Sequence, residues 1–364
     1  MYTDPINRSR TVRILRIVMP LVALICIVVF PPWDGILAWL EPLPDTVTEQ
    51  VDSAIDHGLD GIIVYVDQSG EVPAQYAAGW KNKAAQEPAD PLALFKIASI
   101  SKLYIAAATA KLVGKHQLSL DASLADYLPE LAGRIDNADR ISLKMLLQHR
   151  SGIPNFTDQS DFDWFTSSTD NKERLGLILD KPADFEPDAD YSYSNTNYLL
   201  IGSILDKTLG YSHQRYISNE ILVPLGLTHT YGLLSQASIE DVMSAYHHPY
   251  EDDLREIDYT TPGGSMVATA QDVSVFLRAL NNGSLLNSDE QAIYSSIYEY
   301  EHAGWLPGYQ SIARYHEDID TVVIQFVNTT SGSGNAELTA NVVYSRIVKI
   351  LRRQLSKGLS KGSE

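Results

Sequence analysis

"FKIASISKLYIAAATAKLV" (residues 95–113) reads as an amphipathic helix near 99–113, yet it opens on two serines and carries Lys102 one turn after Ser99. Residues i and i+3 of a helix share a face, about 5–6 Å apart at Cβ. At a helix N-terminus the Ser99 oxygen lies near unpaired backbone N–H groups and the positive end of the dipole, which suits an attacking oxygen that becomes an acyl ester. A desolvated Lys102 gives up its proton far below its free pKa of about 10.4 and activates the serine. A structural reading competes, in which Ser99 caps the helix and Lys102 snorkels. On the order of one Ser-x-x-Lys is expected by chance in a chain of this composition, so the motif needs company.

Two later stretches supply it. "DYSYSNTNYLLIGSILDKTLG" (190–210) places Tyr193-Ser194-Asn195 on a loop before an apolar helix from about Asn197. Tyr193 serves as a proton shuttle if nearby cations favour its phenolate, and Asn195 donates to a substrate carbonyl. Packing and capping explain the same residues equally well when taken alone. "EHAGWLPGYQSIARY" (301–315) puts His302-Ala303-Gly304 at the start of a strand, with small residues that let a substrate backbone lie along its edge. His302 by itself is more often a packing histidine.

The elements around these motifs imply an α+β fold. "GIIVYVDQSGEVPAQYAAGW" (61–80) reads as a hairpin, as does "QSIARYHEDIDTVVIQFVNTT" (310–330), turning near Glu317-Asp318. A helix is expected around Val47, Val51 and Ile55, and a last helix over 335–354, with a frayed tail at 356–364. Residues 115–290 are mostly helices and loops. An antiparallel sheet flanked by terminal helices, with a helical second lobe, follows for a domain spanning 41–355, and a cleft between the lobes is the place for a site.

Composition excludes several partners. The net charge is −18, and four of the basic residues (Arg8, Arg10, Arg13 and Arg16) precede residue 41, so the body is more acidic still. Such a body repels nucleic-acid phosphates. Cys26 is the only cysteine, which leaves the body without disulfides or thiolate chemistry. His57, His116, His213, His229, His247, His248 and His316 show no metal-ligand spacing, and neither metal nor cofactor is expected.

The four arginines precede "IVMPLVALICIVVF" (17–30), a basic flank before an apolar run. With a cytoplasmic segment at 1–16 and a membrane anchor or uncleaved signal and connector at 17–40, "PPWDGILAWLEPLPDT" (31–46) being Pro-rich, the expectation is a single-pass inner-membrane protein, with a cleaved export signal as the alternative. Its N-terminus would be cytoplasmic and its catalytic domain periplasmic.

Taken in order, Ser99-Ile-Ser-Lys102, Tyr193-Ser-Asn195 and His302-Ala-Gly304 resemble the motif triplet of the serine β-lactamase and penicillin-binding protein superfamily. The likeness is nearest to its class C branch of D,D-peptidases, D-aminopeptidases and esterases. "QLSLDASLADYLPEL" (117–131), "ISLKMLLQHRSGIPNF" (141–156), "TPGGSMVATAQDVSVFLRALNNGSLL" (261–286) and "GWLPGY" (304–309) are similar to family segments, and the likeness runs over about 50–352.

The resemblance implies Ser99 as nucleophile, Lys102 and Tyr193 sharing acid and base work, and Asn195 positioning the substrate. It implies His302 in place of the third-motif cation near the Tyr193 oxygen, and the N–H groups of Ser99 and Trp305, beside Gly304, as an oxyanion hole. His149 and Gly263-Gly264 are read as structural. Having His302 and Ala303 where the family has lysine and threonine weakens the grip on a substrate carboxylate by roughly 1.5–3 kcal/mol. An exported hydrolase of an ester, or of an amide or peptide with D-residues, is therefore expected. A D,D-carboxypeptidase or β-lactamase is the alternative, and a catalytically retired envelope sensor is the alternative of another class.

Overall fold

Along strand β1 (Gly61–Gln68), Ile62, Val64 and Val66 face one cluster of buried side chains while Ile63 and Tyr65 face another. A strand buried on both faces lies inside a layered fold. The computed structural model describes residues 5–29, 31–166, 170–250 and 252–361. β1 sits at the centre of a six-stranded antiparallel sheet. On one side it pairs with β2 (Ala74–Asn82), whose edge partner is β3 (Glu87–Pro88). On the other come β6 (Thr321–Val327), β5 (Tyr309–His316) and the edge strand β4 (His302–Leu306). Both expected hairpins are present, the second turning through Glu317–Ile319.

Helices α3 (Val47–Asp56) and α6 (Asn335–Lys361) cover one face, packing Val51, Ala54, Val343 and Ile347 against β1 and β6. A capping box starts α3: Thr46 Oγ1 accepts from Glu49 N at 3.2 Å, and Glu49 Oε2 accepts from Thr46 N at 3.0 Å. The other face carries the helical lobe, centred on α4 (Ser101–Gly114) and α5 (Asn195–Leu209). Every residue from Ser101 to Ala110 is buried, so α4 is enclosed on all sides rather than amphipathic. Its alanines at 106, 107, 108 and 110 let neighbours approach, and Tyr104 stacks on Phe276 of the helix Ala270–Asn281 with ring centroids 3.7 Å apart.

Three expectations are corrected. The stretch 31–46 is not a bare connector: it contains helix α2 (Trp33–Leu40), whose Gly35 and Ala38 are buried, and a Cβ on Gly35 would stand 3.0 Å from Leu338 Cγ of α6. Its prolines bracket the helix instead of abolishing it. Helix α6 continues to Lys361, beyond the expected end near 354 and through part of the supposed tail, while residues 362–364 lie outside the described residues.

The single-pass anchor is also overturned. Among the described residues no helix is long and apolar enough to cross a membrane. The N-terminal helix α1 (Pro5–Val29) includes all four arginine positions, so its uncharged part from Ile17 to Val29 is about 20 Å long at 1.5 Å per residue, against a hydrocarbon core of ~30 Å. Residues 1–4 and Phe30 of the supposed cytoplasmic and spanning segments lie outside the described residues. The inner-membrane placement drawn from that segment is withdrawn.

Candidate active site

A short antiparallel contact of Phe95–Lys96 with Val267–Ala268 delivers the chain to Ala98, where φ is 50°, a region that residues with a Cβ seldom enter. The turn leads into a 3₁₀ segment, Ala98–Ile100, and then α4, so Ser99 lies in the first turn, half-buried, ahead of fully buried Lys102. Ser101 fixes this turn: its hydroxyl donates to Ala98 O at 2.6 Å and accepts from Met266 N at 3.2 Å.

The first two motifs converge. Lys102 Nζ lies 2.9 Å from Ser99 Oγ, 3.0 Å from Asn195 Oδ1 and 2.9 Å from Gly263 O. Tyr193 donates its hydroxyl to Ser99 Oγ at 2.8 Å. Complete burial pushes the Lys102 amine down to about 7, so near neutral pH much of it is unprotonated. The neutral amine has two N–H groups and one lone pair. Asn195 Oδ1 and Gly263 O can only accept, so they take the N–H groups and turn the lone pair towards the Ser99 hydroxyl. Burial pushes the Tyr193 phenol up to about 12, its hydrogen bond to Ser99 opposing this. Tyr193 is therefore protonated and donates to Ser99, so the condition set for its phenolate is not met.

The third motif is arranged differently from the expectation. His302 starts β4, but its ring centroid is 6.4 Å from that of Tyr193, and its Nε2 lies 2.8 Å from the Tyr298 hydroxyl. Its Nδ1 is against Ala303 O, so Nδ1 carries the proton and Nε2 accepts from Tyr298. Burial, helped by the Lys102 charge, pushes His302 down to about 4, and the ring is neutral at physiological pH. The position holds no cation there.

Gly304 sets how close β4 comes to the turn that carries Ser99. A Cβ there would stand 2.4 Å from Ser311 Oγ, 2.5 Å from Ile97 O and 2.9 Å from Ala98 Cβ, so only glycine fits. β4 and β5 join through Pro307-Gly308 with Leu306 opposite Tyr309. In such a hairpin the closing pair is hydrogen-bonded and the pairs alternate, so Trp305 turns its N–H off the open edge of the sheet. Trp305 and Ser99 line one cavity of about 50 Å³ together with Asn195, Phe156, Phe162 and Trp164. A larger cavity of about 750 Å³, lined by His213, Thr230 and Ser265 among others, contains none of the three motifs.

Three supports escaped notice in the sequence or were underrated there. Gly263 is more than a tight passage: a Cβ would stand 2.8 Å from Tyr198 Cβ and 3.1 Å from Lys102 Cε, and the bare backbone is what lets its carbonyl reach the amine. His149 also has a positive φ, 57°, and its Nδ1 accepts from Ser194 N at 3.1 Å while its ring packs 4.5 Å from that of Tyr193. Burial, with the charges of Lys102 and His302, holds it down to about 3, so this acceptor persists. Tyr298 carried no sequence signal.

Residues 43–296 match the family model described as Beta-lactamase. Protein flp of Staphylococcus aureus (strain NCTC 8325 / PS 47) is 29% identical over 192 residues, covering 50% of this chain and 38% of that protein. Penicillin-binding protein 4* of Bacillus subtilis (strain 168) is 23% identical over 255 residues, covering 68% of this chain and 52% of its own length. The chain thus spans about half or less of these curated relatives. The D-amino acid amidase of Ochrobactrum anthropi SV3, solved with L-phenylalanine amide, superposes with a TM-score of 0.76 at 22% identity, covering 85% of this chain and 98% of that one. At that identity the likeness shows the fold.

Proposed function

The chain belongs to the beta-lactamase family and is a serine hydrolase of the wider β-lactamase and penicillin-binding protein superfamily, and from that premise we propose that it cleaves an uncharged ester, or an amide with a D-residue, through an acyl-enzyme on Ser99. The observation that carries the reading is the chain of contacts from Lys102 Nζ to Ser99 Oγ to Tyr193 Oη, at 2.9 and 2.8 Å. Both distances are within reach for proton transfer.

Ser99 passes its proton to neutral Lys102 as its oxygen attacks the substrate carbonyl. The resulting oxyanion takes the N–H groups of Ser99 and Trp305, a pair of donors whose individual loss costs about 3 kcal/mol in comparable sites. Tyr193 gives its proton to the departing oxygen or nitrogen, and the phenolate so formed recovers one from the Lys102 ammonium. Asn195 holds the amine by its carbonyl oxygen and offers its amide N–H to the acyl side. Water then attacks the ester along the reverse proton path, restoring the Ser99 hydroxyl and releasing the acid.

The preference for an uncharged substrate rests on His302. A carboxylate beside β4 would meet a neutral ring whose Nε2 already accepts from Tyr298. This weighs against a D,D-carboxypeptidase or an efficient β-lactamase. The amide alternative draws on the fold shared with the D-amino acid amidase.

The test is covalent labelling. A fluorophosphonate should add one phosphonyl group to the wild-type protein, located on Ser99 by peptide mass spectrometry, and Ser99→Ala should take up none. Equal labelling of both proteins, or an adduct elsewhere, would overturn the assignment.

A further inference from the structure

Ser99 lines one cavity, and Tyr193, hydrogen-bonded to it, lines a second of unlike size and lining. On the Asn195 side, the cavity of about 50 Å³ is walled by Phe156, Phe162, Trp164, Tyr259 and Trp305. On the Tyr193 and His302 side, a cavity of about 320 Å³ is lined also by Arg150, Tyr191, Ser296 and Glu299. The departing atom must face the group that protonates it, so the leaving group occupies the Tyr193 side and the acyl chain the Asn195 side. We propose, resting on the Ser99 reading above, that the enzyme selects a short uncharged acyl chain while tolerating a bulky uncharged leaving group, and that Phe162 and Trp164 set the length limit.

The acyl wall is braced. Phe162 meets Phe156 edge-on at 5.2 Å and Trp164 at 4.9 Å, and Trp164 meets Trp305 at 5.5 Å. Trp305 Nε1 donates to Glu337 Oε1 at 2.9 Å, and the Tyr259 hydroxyl to Trp164 O at 2.9 Å. Each ring is held by another ring or a hydrogen bond, so swinging one aside breaks a contact. An engineered cavity that holds benzene is about 150 Å³, roughly three times this one, so a few carbons fit and a phenyl ring does not.

The arginines on both sides are already engaged. Arg174 lines the acyl cavity, but its Nη1 donates to Asn171 Oδ1, Thr260 Oγ1 and Thr261 Oγ1 at 2.9, 2.8 and 3.1 Å, with the Asp258 charge also acting on it. On the leaving-group side Arg150 pairs with Asp188 at 2.5 Å, Glu299 adds a carboxylate, and His302 is neutral.

The experiment compares kcat/KM for p-nitrophenyl acetate, butyrate, octanoate, phenylacetate and hemiglutarate on wild type, Phe162→Ala and Trp164→Leu, with 4-methylumbelliferyl butyrate as the larger leaving group. Wild type should turn over butyrate at least roughly tenfold better than octanoate, phenylacetate or hemiglutarate, the scale of a steric mismatch in an apolar pocket. The two butyrates, after correction for leaving-group pKa, should differ less than acyl length does. Phe162→Ala, or Trp164→Leu if the first does not fold, should bring octanoate or phenylacetate level with butyrate. Phenylacetate or octanoate matching butyrate on wild type, hemiglutarate exceeding it, or unchanged ratios in folded variants would overturn the proposal. Such results with fluorophosphonate labelling of Ser99 intact would sink the length limit alone. Absence of both labelling and turnover would sink the Ser99 reading with it.

Discussion

Replacing Asn195 by leucine should move the pH dependence of catalysis downwards, and the size of the shift follows from the contacts of one amine. Lys102 Nζ has three oxygen neighbours, Ser99 Oγ, Asn195 Oδ1 and Gly263 O, at 2.9, 3.0 and 2.9 Å, and complete burial brings it down to about 7. If the neutral amine is the base, kcat/KM rises about tenfold per pH unit below that value and levels above it. Tyr193, held up to about 12, stays protonated throughout. Each acceptor favours the ammonium over the amine, because a hydrogen bond to a charged group is worth about 1.5–3 kcal/mol against about 0.5–1.5 for a neutral one. Removing Asn195 Oδ1 therefore withdraws roughly 1–1.5 kcal/mol from the ammonium, and at 1.36 kcal/mol per unit the midpoint falls by about one pH unit. Leucine rather than alanine is the variant of choice, since it fills the space and keeps water from hydrating the cation. The assay is kcat/KM for a neutral p-nitrophenyl ester between pH 5 and 9.5, with activity at pH 7.5 re-measured after each exposure. Absolute rates will fall as well, because Asn195 also faces the substrate, so the midpoint is the quantity to read. An unmoved or raised midpoint, or a wild-type profile that declines above pH 7, would refute the assignment of Lys102 as base.

Gly304→Ala should cost both stability and activity, because its Cβ would stand 2.5 Å from Ile97 O beside the nucleophile turn; overpacking of this kind costs about 1–3 kcal/mol. Gly176→Ala, with nothing within 4 Å of the new Cβ, should leave Tm within a degree or so and serves as the control. His302→Lys should raise the preference for carboxylate-bearing over neutral substrates about tenfold to a hundredfold, and an unchanged ratio would show that this position does not face the substrate. Stability should also depend on pH. Lys96 and Lys102 are held by burial at about 7 against 10.5 when exposed, so between those values the unfolded chain binds more protons and stability rises with pH. Buried Tyr104 and Tyr198 lie well above 10, so beyond pH 10 the unfolded chain loses protons first and stability falls. The urea midpoint should increase from pH 7 to about 9.5 and then drop; a decline across the first interval would contradict the burial of both amines.

What could be read from the sequence and what could not divide along a physical line. The hairpins at 61–80 and 310–330 and the pairing of Ser99 with Lys102 are written in local periodicity, and a helix or strand enforces them whatever surrounds it. Tyr193 and Asn195 could be placed only through resemblance, since no local rule brings residues 94 and 93 positions away to Ser99 and Lys102. Protonation was harder still. His302 was expected as a titratable cation, but its charge is decided by burial and by the nearby Lys102, neither of which its own segment announces. Likewise α4 was expected to be amphipathic, whereas the lobe closes over Lys102 completely. In α1 the error ran the other way: a basic flank before an apolar run suggested an anchor, although the uncharged stretch after Arg16 is too short to span.

Gly263 shows why a polar site of this kind hides from inspection of side chains. Its contribution is a carbonyl, common to every residue, and the only trace in the sequence is a missing Cβ. Yet that carbonyl and Asn195 Oδ1 together occupy both N–H groups of the neutral amine, and only then does the remaining lone pair have a single direction, towards Ser99. A free amine in the same dry pocket would be less basic, and unaimed. Burial lowers the affinity of Lys102 for its proton, and the two acceptors decide from which oxygen it takes the next one.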